Sequence, residues 1–245
     1  MSKRPRPASN GVIEIVPTNT CPPDLAELSR RSAFFADFSE WVQLDISDGL
    51  FTQERSWPYG EGQWAELESL ADGSLQPPFV RDINYETHMM VEEPGELGLR
   101  LAQAGIQRII GHVEAFADEK EILEALGAWR SAGAREVGLA ILLDTPLPVL
   151  EPMIPACDVV QVMSIATLGK QGAPYDIRAI ARIGELHSKY PTLTISVDGG
   201  VSMKNIAELT RAGARRFGVG SAITKAENPK VAYEQLKSLA ESALE

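Results

Sequence analysis

A single (β/α)8 TIM barrel is the fold class that this sequence predicts, and three observations carry the prediction. The 245 residues match the usual size of that barrel and run long for one doubly wound sheet. Eight short runs rich in β-branched residues recur along the chain, with helical patterns between them. Several of those patterns end in Ala-Gly just before the next run, so strand and helix alternate as parallel pairing requires.

Residues 1–10, MSKRPRPASN, are basic and rich in Pro and Ser, and are read as a tail preceding a barrel domain of residues 11–245. The first strand is expected in GVIEIV (11–16) and the second in WVQLDI (41–46). Residues 50–80 then break the rhythm, because this expanded connection carries three prolines and two tryptophans. Two readings of it stay open: a loop that covers a substrate at the active face, and a surface excursion with a short helix around QWAELESLA. The later strands are expected in INYETHMM (83–90), IQRIIGHV (106–113), EVGLAIL (136–142), DVVQVMSI (158–165), TLTISV (192–197) and RRFGVG (215–220). Helical periodicity is clearest in EPGELGLRLAQAG, DEKEILEALGAWRSAG, DIRAIARIGELHSKY, SMKNIAELTRAG and NPKVAYEQLKSLAESALE. In AGI (104–106) and AGA (132–134 and 212–214), Gly is expected to end the helix in a left-handed cap while its small neighbour lets the returning strand pack closely.

Composition narrows the function. With 44% hydrophobic and 23% charged residues the chain can bury a large core, and no run is long enough to span a bilayer. A formal charge of -11 argues against nucleic acid as partner, since clustered Lys and Arg supply that affinity. It does not exclude a phosphorylated metabolite, which backbone N–H groups can hold without a basic side chain. Cys21 and Cys157 fit no metal-ligand spacing and no secretory signal precedes the first strand, so a reduced, cytoplasmic setting is expected.

In a closed parallel barrel the strand C-termini converge on one face, so polar residues at those ends are the functional candidates. Thr18 follows the first strand, Gln43, Asp45, Ser47 and Asp48 lie on or after the second, His88 and Met90 end the third, and Met163 and Ser164 end the sixth. SVDGG (196–200) and GVGSA (218–222) close the last two strands, the usual place of a phosphate cradle, which makes Gly199, Gly200, Gly220 and Ser221 the predicted phosphate contacts. Asp45 and Asp198 each end an apolar run, where a buried carboxylate needs a metal, a proton or a donor. Strands two and seven are expected on opposite sides of the ring, so that the carboxylates would face a substrate from two sides, as two-base proton exchange requires. His112 and Glu114 share a face that the sequence does not identify, and His187 is expected to face solvent.

The segments VQLDISDGLF, THMMVEEPGEL, GHVEAFAD, GLAILLDTPLPVLEPMIPACDVVQVMSI and ISVDGGVSMKNIAELTRAGARRFGVGSAIT together resemble the ribulose-phosphate 3-epimerase family of the ribulose-phosphate-binding barrels. That resemblance implies epimerisation of a ketose phosphate through a cis-enediolate, with Asp45 and Asp198 as acid and base. It also implies a divalent metal cation held by Asp45, Asp198 and His88. The family's other histidine ligand falls on Gln43, a neutral oxygen donor weaker than imidazole for Zn or Fe, which leaves the identity of the cation open. Thr18, Met90 and Met163 join the four phosphate contacts as implied substrate contacts, the substrate being a small sugar phosphate. The family's Asn-Pro after strand five is Leu142-Leu143 here, and its glycine-rich loop after strand six is ATLGKQGAP, which keeps Gly169, Gln171 and Gly172. A homo-oligomer is implied because oligomers are common in that family. Two other functions remain open: a lyase or decarboxylase of the same barrel group, akin to hexulose-phosphate synthase, and a sugar-phosphate-binding protein without turnover.

Overall fold

A computed structural model describes residues 12–169 and 171–244; the tail expected at residues 1–10 lies outside the described residues. In chain order the elements are β1 (Glu14–Asn19), α1 (Leu25–Ala36), β2 (Trp41–Ser47), α2 (Gln63–Ala71), β3 (Asn84–Met90), α3 (Pro94–Gln103), β4 (Arg108–His112) and α4 (Glu119–Ser131). They continue with β5 (Glu136–Ile141), β6 (Val159–Met163), α5 (Arg178–Lys189), β7 (Thr194–Asp198), α6 (Ile206–Ala212), β8 (Arg216–Val219), α7 (Ser221–Thr224) and α8 (Pro229–Glu241). The eight strands close in sequence order into one parallel barrel, with β1 pairing β8 through Glu14–Arg216 to Pro17–Val219. The predicted (β/α)8 TIM barrel is therefore observed. Two short 3-10 turns, Leu147–Leu150 and Ile154–Ala156, carry the chain from β5 to β6.

Local chemistry explains the boundaries. Asp24, Asp118 and Asn228 cap α1, α4 and α8 by accepting hydrogen bonds from Glu27 N, Glu121 N and Val231 N. The three Ala-Gly pairs end their helices as expected, with Gly105, Gly133 and Gly213 at φ of 86°, 124° and 122°. α6 and the following turn also account for His187, which is half-buried rather than solvent-facing. A methyl group on Gly213 would collide with its ring, so the imidazole rests on bare backbone.

The strands use their period of two to separate two interiors. One set of side chains, including Leu44, Ile46, Val137, Leu139, Val160, Val162, Ile195, Val197 and Phe217, packs outward into a single apolar core with the helices. The other set points into the barrel and is polar at both ends. At the N-terminal end Arg216 bonds Glu14, Glu86 and Glu136, while Arg108 bonds Glu14 and Glu136 and stacks its guanidinium 3.4 Å from the Trp41 ring centroid. These residues come from β1, β2, β3, β4, β5 and β8, and only the barrel interior lets them meet. This charged floor anchors the strands whose other ends carry the site.

The expanded connection contains the short helix that the sequence suggested. α2 forms at Gln63–Ala71 and packs against α3, with Trp57 buried beneath the segment and donating to Glu66. Residues 51–54 instead reach the mouth, where Phe51 lies 4.8 Å from the His112 ring and Thr52 and Glu54 flank Gly169.

Candidate active site

The strand period places Gln43 and Asp45 on the same inward row of β2, and register sets Asp45 beside His88 on β3. On the far side of β1 and β8, Asp198 ends β7 beside Gly218. Gln43, wholly buried, joins the two acids: its Nε2 donates to Asp45 Oδ1 at 2.7 Å and to Asp198 Oδ2 at 3.0 Å. His88 Nδ1 faces the same two oxygens, at 3.4 Å and 3.2 Å, without aligning a hydrogen bond to either. The expectation that the carboxylates lie across the ring is thus corrected. β2 and β7 are separated only by β1 and β8, and one amide and one imidazole draw the two acids to a single point.

Burial sets the electrostatics. It raises the Asp45 carboxyl above its ordinary value, an effect that the nearby Asp198 charge reinforces and that His88 and Gln43 oppose. Burial alone would lower His88, but Asp198 and Asp45 outweigh it and hold the imidazolium to about pH 9. The next imidazole behaves in the opposite way. His112, also wholly buried, is pushed down to about 4 by burial against the pull of Glu114. Its Nε2 lies 2.9 Å from His88 Nε2 and its Nδ1 lies 3.1 Å from Glu114 Oε2, so the face that His112 and Glu114 share is the one turned to the site. Leu142 N donates to Glu114 Oε1 at 2.8 Å, which gives the residue at the rewritten end of strand five a backbone role.

A narrow cavity of about 50 Å³ opens beside these groups, and Thr18, Asp45, His88, Met90, Met163 and Asp198 are among the residues that line it. Gly199, Gly200, Gly220 and Ser221 form its other side, so every predicted contact other than Gln43, which sits behind the two acids, reaches the cavity. Gly199 and Gly200 take φ of 109° and 66°, and Ser164 ties this turn down by donating to the Gly199 carbonyl oxygen. A methyl group on Gly220 would sit 2.9 Å from Thr18 Oγ1 and 3.1 Å from Gln171 Nε2, so a side chain there would displace both neighbours.

Sequence reasoning missed how the cavity closes. Gln171 spans it, donating to Thr20 Oγ1 at 3.1 Å and accepting from Thr224 Oγ1 at 3.0 Å. Thr20 lies beyond the predicted end of strand one and only the return of the loop after β6 marks it. Ser47 and Asp48, candidates by position, point elsewhere. Ser47 bonds the Glu54 carbonyl, and Asp48 accepts from Leu50 N, Phe51 N and Glu92 N, so both fix the loop after β2. Cys21 is half-buried and Cys157 buried, and neither forms a disulfide.

Asp45, His88 and Asp198 bring one ligand atom each within 4.8 Å of one another, a donor set suited to a divalent cation. Two atoms beside them, His88 Nδ1 and Gln43 Oε1, are buried without a hydrogen-bond partner. A half-turn of the Gln43 amide exchanges its nitrogen for its oxygen, so the residues present fit a cation with three ligands and a fourth, neutral oxygen. No helix among the described residues is long and apolar enough to cross a membrane.

The model of the Ribulose-phosphate 3 epimerase family matches residues 24–224. Ribulose-phosphate 3-epimerase from Schizosaccharomyces pombe is 26% identical over 217 residues, covering 88% of this chain and 89% of that protein. The enzyme of the same name from Mycobacterium bovis is 27% identical over 228 residues, covering 90% of each. Among solved structures, 3-keto-L-gulonate-6-phosphate decarboxylase from Vibrio cholerae superposes with a TM-score of 0.69 at 11% identity, covering 94% of this chain and 99% of that one. 3-hexulose-6-phosphate synthase from Salmonella typhimurium gives 0.67 at 14% identity, covering 94% and 100%; these likenesses are of fold.

Proposed function

Because the chain belongs to the ribulose-phosphate 3-epimerase family, a family of isomerases, we propose that it epimerises a ketose phosphate of the ribulose 5-phosphate/xylulose 5-phosphate type, with Asp45 and Asp198 as the acid and base. The observation that carries this reading is the convergence of two largely buried carboxylates on one amide, beside a glycine-lined cavity at the strand C-termini. The phosphate is held by the backbone of Gly199, Gly200, Gly220 and Ser221, which offers N–H groups where a side chain would intrude. Anchored there, the sugar extends toward Asp45 and Asp198 along Thr18, Met90 and Met163. One carboxylate removes the proton from the carbon next to the ketone while the other returns a proton to the opposite face, and the direction of reaction sets which does which. Gln43 keeps both oxygens aimed at that carbon, and Gln171 with the loop after β6 excludes water. Asp45, His88 and Asp198 would hold a divalent cation, with the Gln43 amide turned so that Oε1 replaces Nε2 as a fourth donor and the cation takes over the alignment of the carboxylates, and such a cation would supply Lewis-acid stabilisation of the enediolate oxygen.

The test is to incubate the purified protein with ribulose 5-phosphate in D2O and follow the sugar by NMR. Xylulose 5-phosphate should appear with deuterium at C3, and Asp45→Asn and Asp198→Asn should each slow exchange by roughly 10²–10⁴-fold, the usual contribution of a positioned acid or base. Active Asn variants would overturn the acid–base assignment. Consumption of formaldehyde with ribulose 5-phosphate would favour a lyase, and phosphate affinity without exchange would favour a binding protein.

A further inference from the structure

Behind the acid–base pair, His88 leads into a largely buried chain of polar groups that the proposed reaction does not use: His112, Glu114 and the Leu142 amide. The two imidazoles meet Nε2 to Nε2 at 2.9 Å, so one proton lies between them and the direction of that bond fixes both tautomers. The far end of the chain decides the direction. Glu114 Oε1 accepts from Leu142 N, and Glu114 Oε2 lies 3.1 Å from His112 Nδ1, a contact that a carboxylate can complete only as acceptor. His112 Nδ1 therefore carries hydrogen, neutral His112 has a bare Nε2, and His88 Nε2 must donate to it. With its hydrogen on Nε2, neutral His88 presents a lone pair from Nδ1, the atom that faces Asp45 and Asp198 and is buried without a hydrogen-bond partner.

We propose that His112 and Glu114 are positioning residues that impose the Nε2–H tautomer on His88, so that its Nδ1 is a ready donor to a divalent cation shared with Asp45 and Asp198. The proposal rests on the reading of those three residues as the cation-holding group. Without the relay, neutral His88 is better served by the other tautomer, whose Nδ1–H would donate to the carboxylates and occupy the place of the cation. Phe51 packs its ring 4.8 Å from that of His112, and both imidazoles are wholly buried, so solvent does not reach them as a competing partner.

Glu114→Gln tests this with almost no change of shape. Its amide oxygen can still accept from Leu142 N, which turns the NH2 toward His112 Nδ1 and reverses every donor in the chain; the flipped amide would set NH2 against the Leu142 N–H. In 15N-histidine NMR of the metal-free protein at a pH above about 9, where His88 is neutral, wild type should show hydrogen on His88 Nε2 and a bare His112 Nε2. The variant should show the hydrogen on His112 Nε2 and a bare His88 Nε2. Mn2+ titration by calorimetry should show affinity lower by about 10- to 100-fold in the variant, the usual effect of losing an outer partner of a histidine ligand. Unchanged tautomers overturn the proposal, and so does inversion with undiminished Mn2+ affinity. If wild type binds no Mn2+, the cation reading fails, while the tautomer measurement still decides whether the relay sets His88. Should Glu114→Gln fail to fold, His112→Leu removes the acceptor for His88 Nε2 and is expected to move the His88 tautomer and the Mn2+ affinity the same way.

Discussion

Replacing Gly220 by Ala probes the proposed cradle without touching a titratable group. Gly220 has φ of -91°, so the positive-φ penalty that would accompany Ala at Gly199 or Gly200 does not apply. The added methyl would lie 2.9 Å from Thr18 Oγ1 and 3.1 Å from Gln171 Nε2. Neither neighbour is free to leave, because Thr18 Oγ1 bonds Thr20 Oγ1 at 3.2 Å and Gln171 is fixed between Thr20 and Thr224. Both must yield by a few tenths of an ångström toward the cavity, and the methyl itself stands where phosphate oxygens would approach backbone. Losing one hydrogen bond to a charged group is worth about 1.5–3 kcal/mol, which corresponds to a drop of about 10- to 150-fold in affinity. The local overpacking should destabilise the fold by about 1–3 kcal/mol, a fall in Tm of about 2–12 °C for a chain of this size. Calorimetric titration with inorganic phosphate reads the affinity, and deuterium exchange into ribulose 5-phosphate should show the loss mainly in KM, since the methyl sits away from the reacting carbon. Undiminished phosphate affinity in a folded variant would refute the placement of the phosphate at Gly220.

Two further outcomes follow from the site and the floor. Gln43→His adds an imidazole beside Asp45 and Asp198 and should tighten Zn2+ binding by about tenfold or more, equivalent to ~1.4 kcal/mol; elemental analysis after dialysis checks it, and equal retention by both proteins would count against Gln43 as a fourth donor. Arg216→Met strips Glu86 of its 3.0 Å partner, leaving Arg108 at 3.6 Å, and should lower stability by about 3–5 kcal/mol at neutral pH, or Tm by about 6–20 °C. Burial, only partly offset by Arg216 and Arg108, already holds the folded Glu86 carboxyl above its unfolded value of 4.5. The variant raises it further, so its deficit is fully expressed above that raised value and fades as acid protonates Glu86 in both states. Melting curves from pH 8 down to pH 4 should converge on wild type, and a gap independent of pH would show that Glu86 is not the cause.

The sequence exposes the parts of this molecule that depend on neighbours in the chain. Alternation of apolar residues marks the strands, and the AGI and AGA triplets mark helix ends because the left-handed cap is a local need. Asp198 is legible because SVDGG combines an apolar run, an acid and two flexible residues in five positions. The floor is not legible. Glu14, Arg108 and Arg216 stand at strand starts where exposed charge is ordinary, and they meet only because the ring closes between residues as far apart as Glu14 and Arg216. Likewise the face of His112 cannot be read from a strand whose five residues are all buried, since no polar alternation survives there. The approach of Asp45 to Asp198 is not legible either, for a related reason. Position in the ring fixes where a strand stands, whereas side-chain donors such as Gln43 and His88 determine how far two acids lean toward each other.

Floor and mouth set the same problem, buried carboxylates inside a barrel, and answer it differently. In the floor each glutamate has a guanidinium as partner, and Arg108 and Arg216 remain charged at every pH the protein meets, so the arrangement is permanent and serves the strands. In the mouth the partners of Asp45 and Asp198 are a neutral amide and an imidazole, groups that can turn, titrate or take a ligand. An Arg in place of Gln43 would pair with both acids and favour their ionised state, weakening the capacity to hold and release a proton. The choice of Gln43 and His88 therefore keeps the acids close enough to act on one carbon while leaving their charge available to a substrate proton or a cation, and a rigid floor beneath them makes that arrangement tolerable.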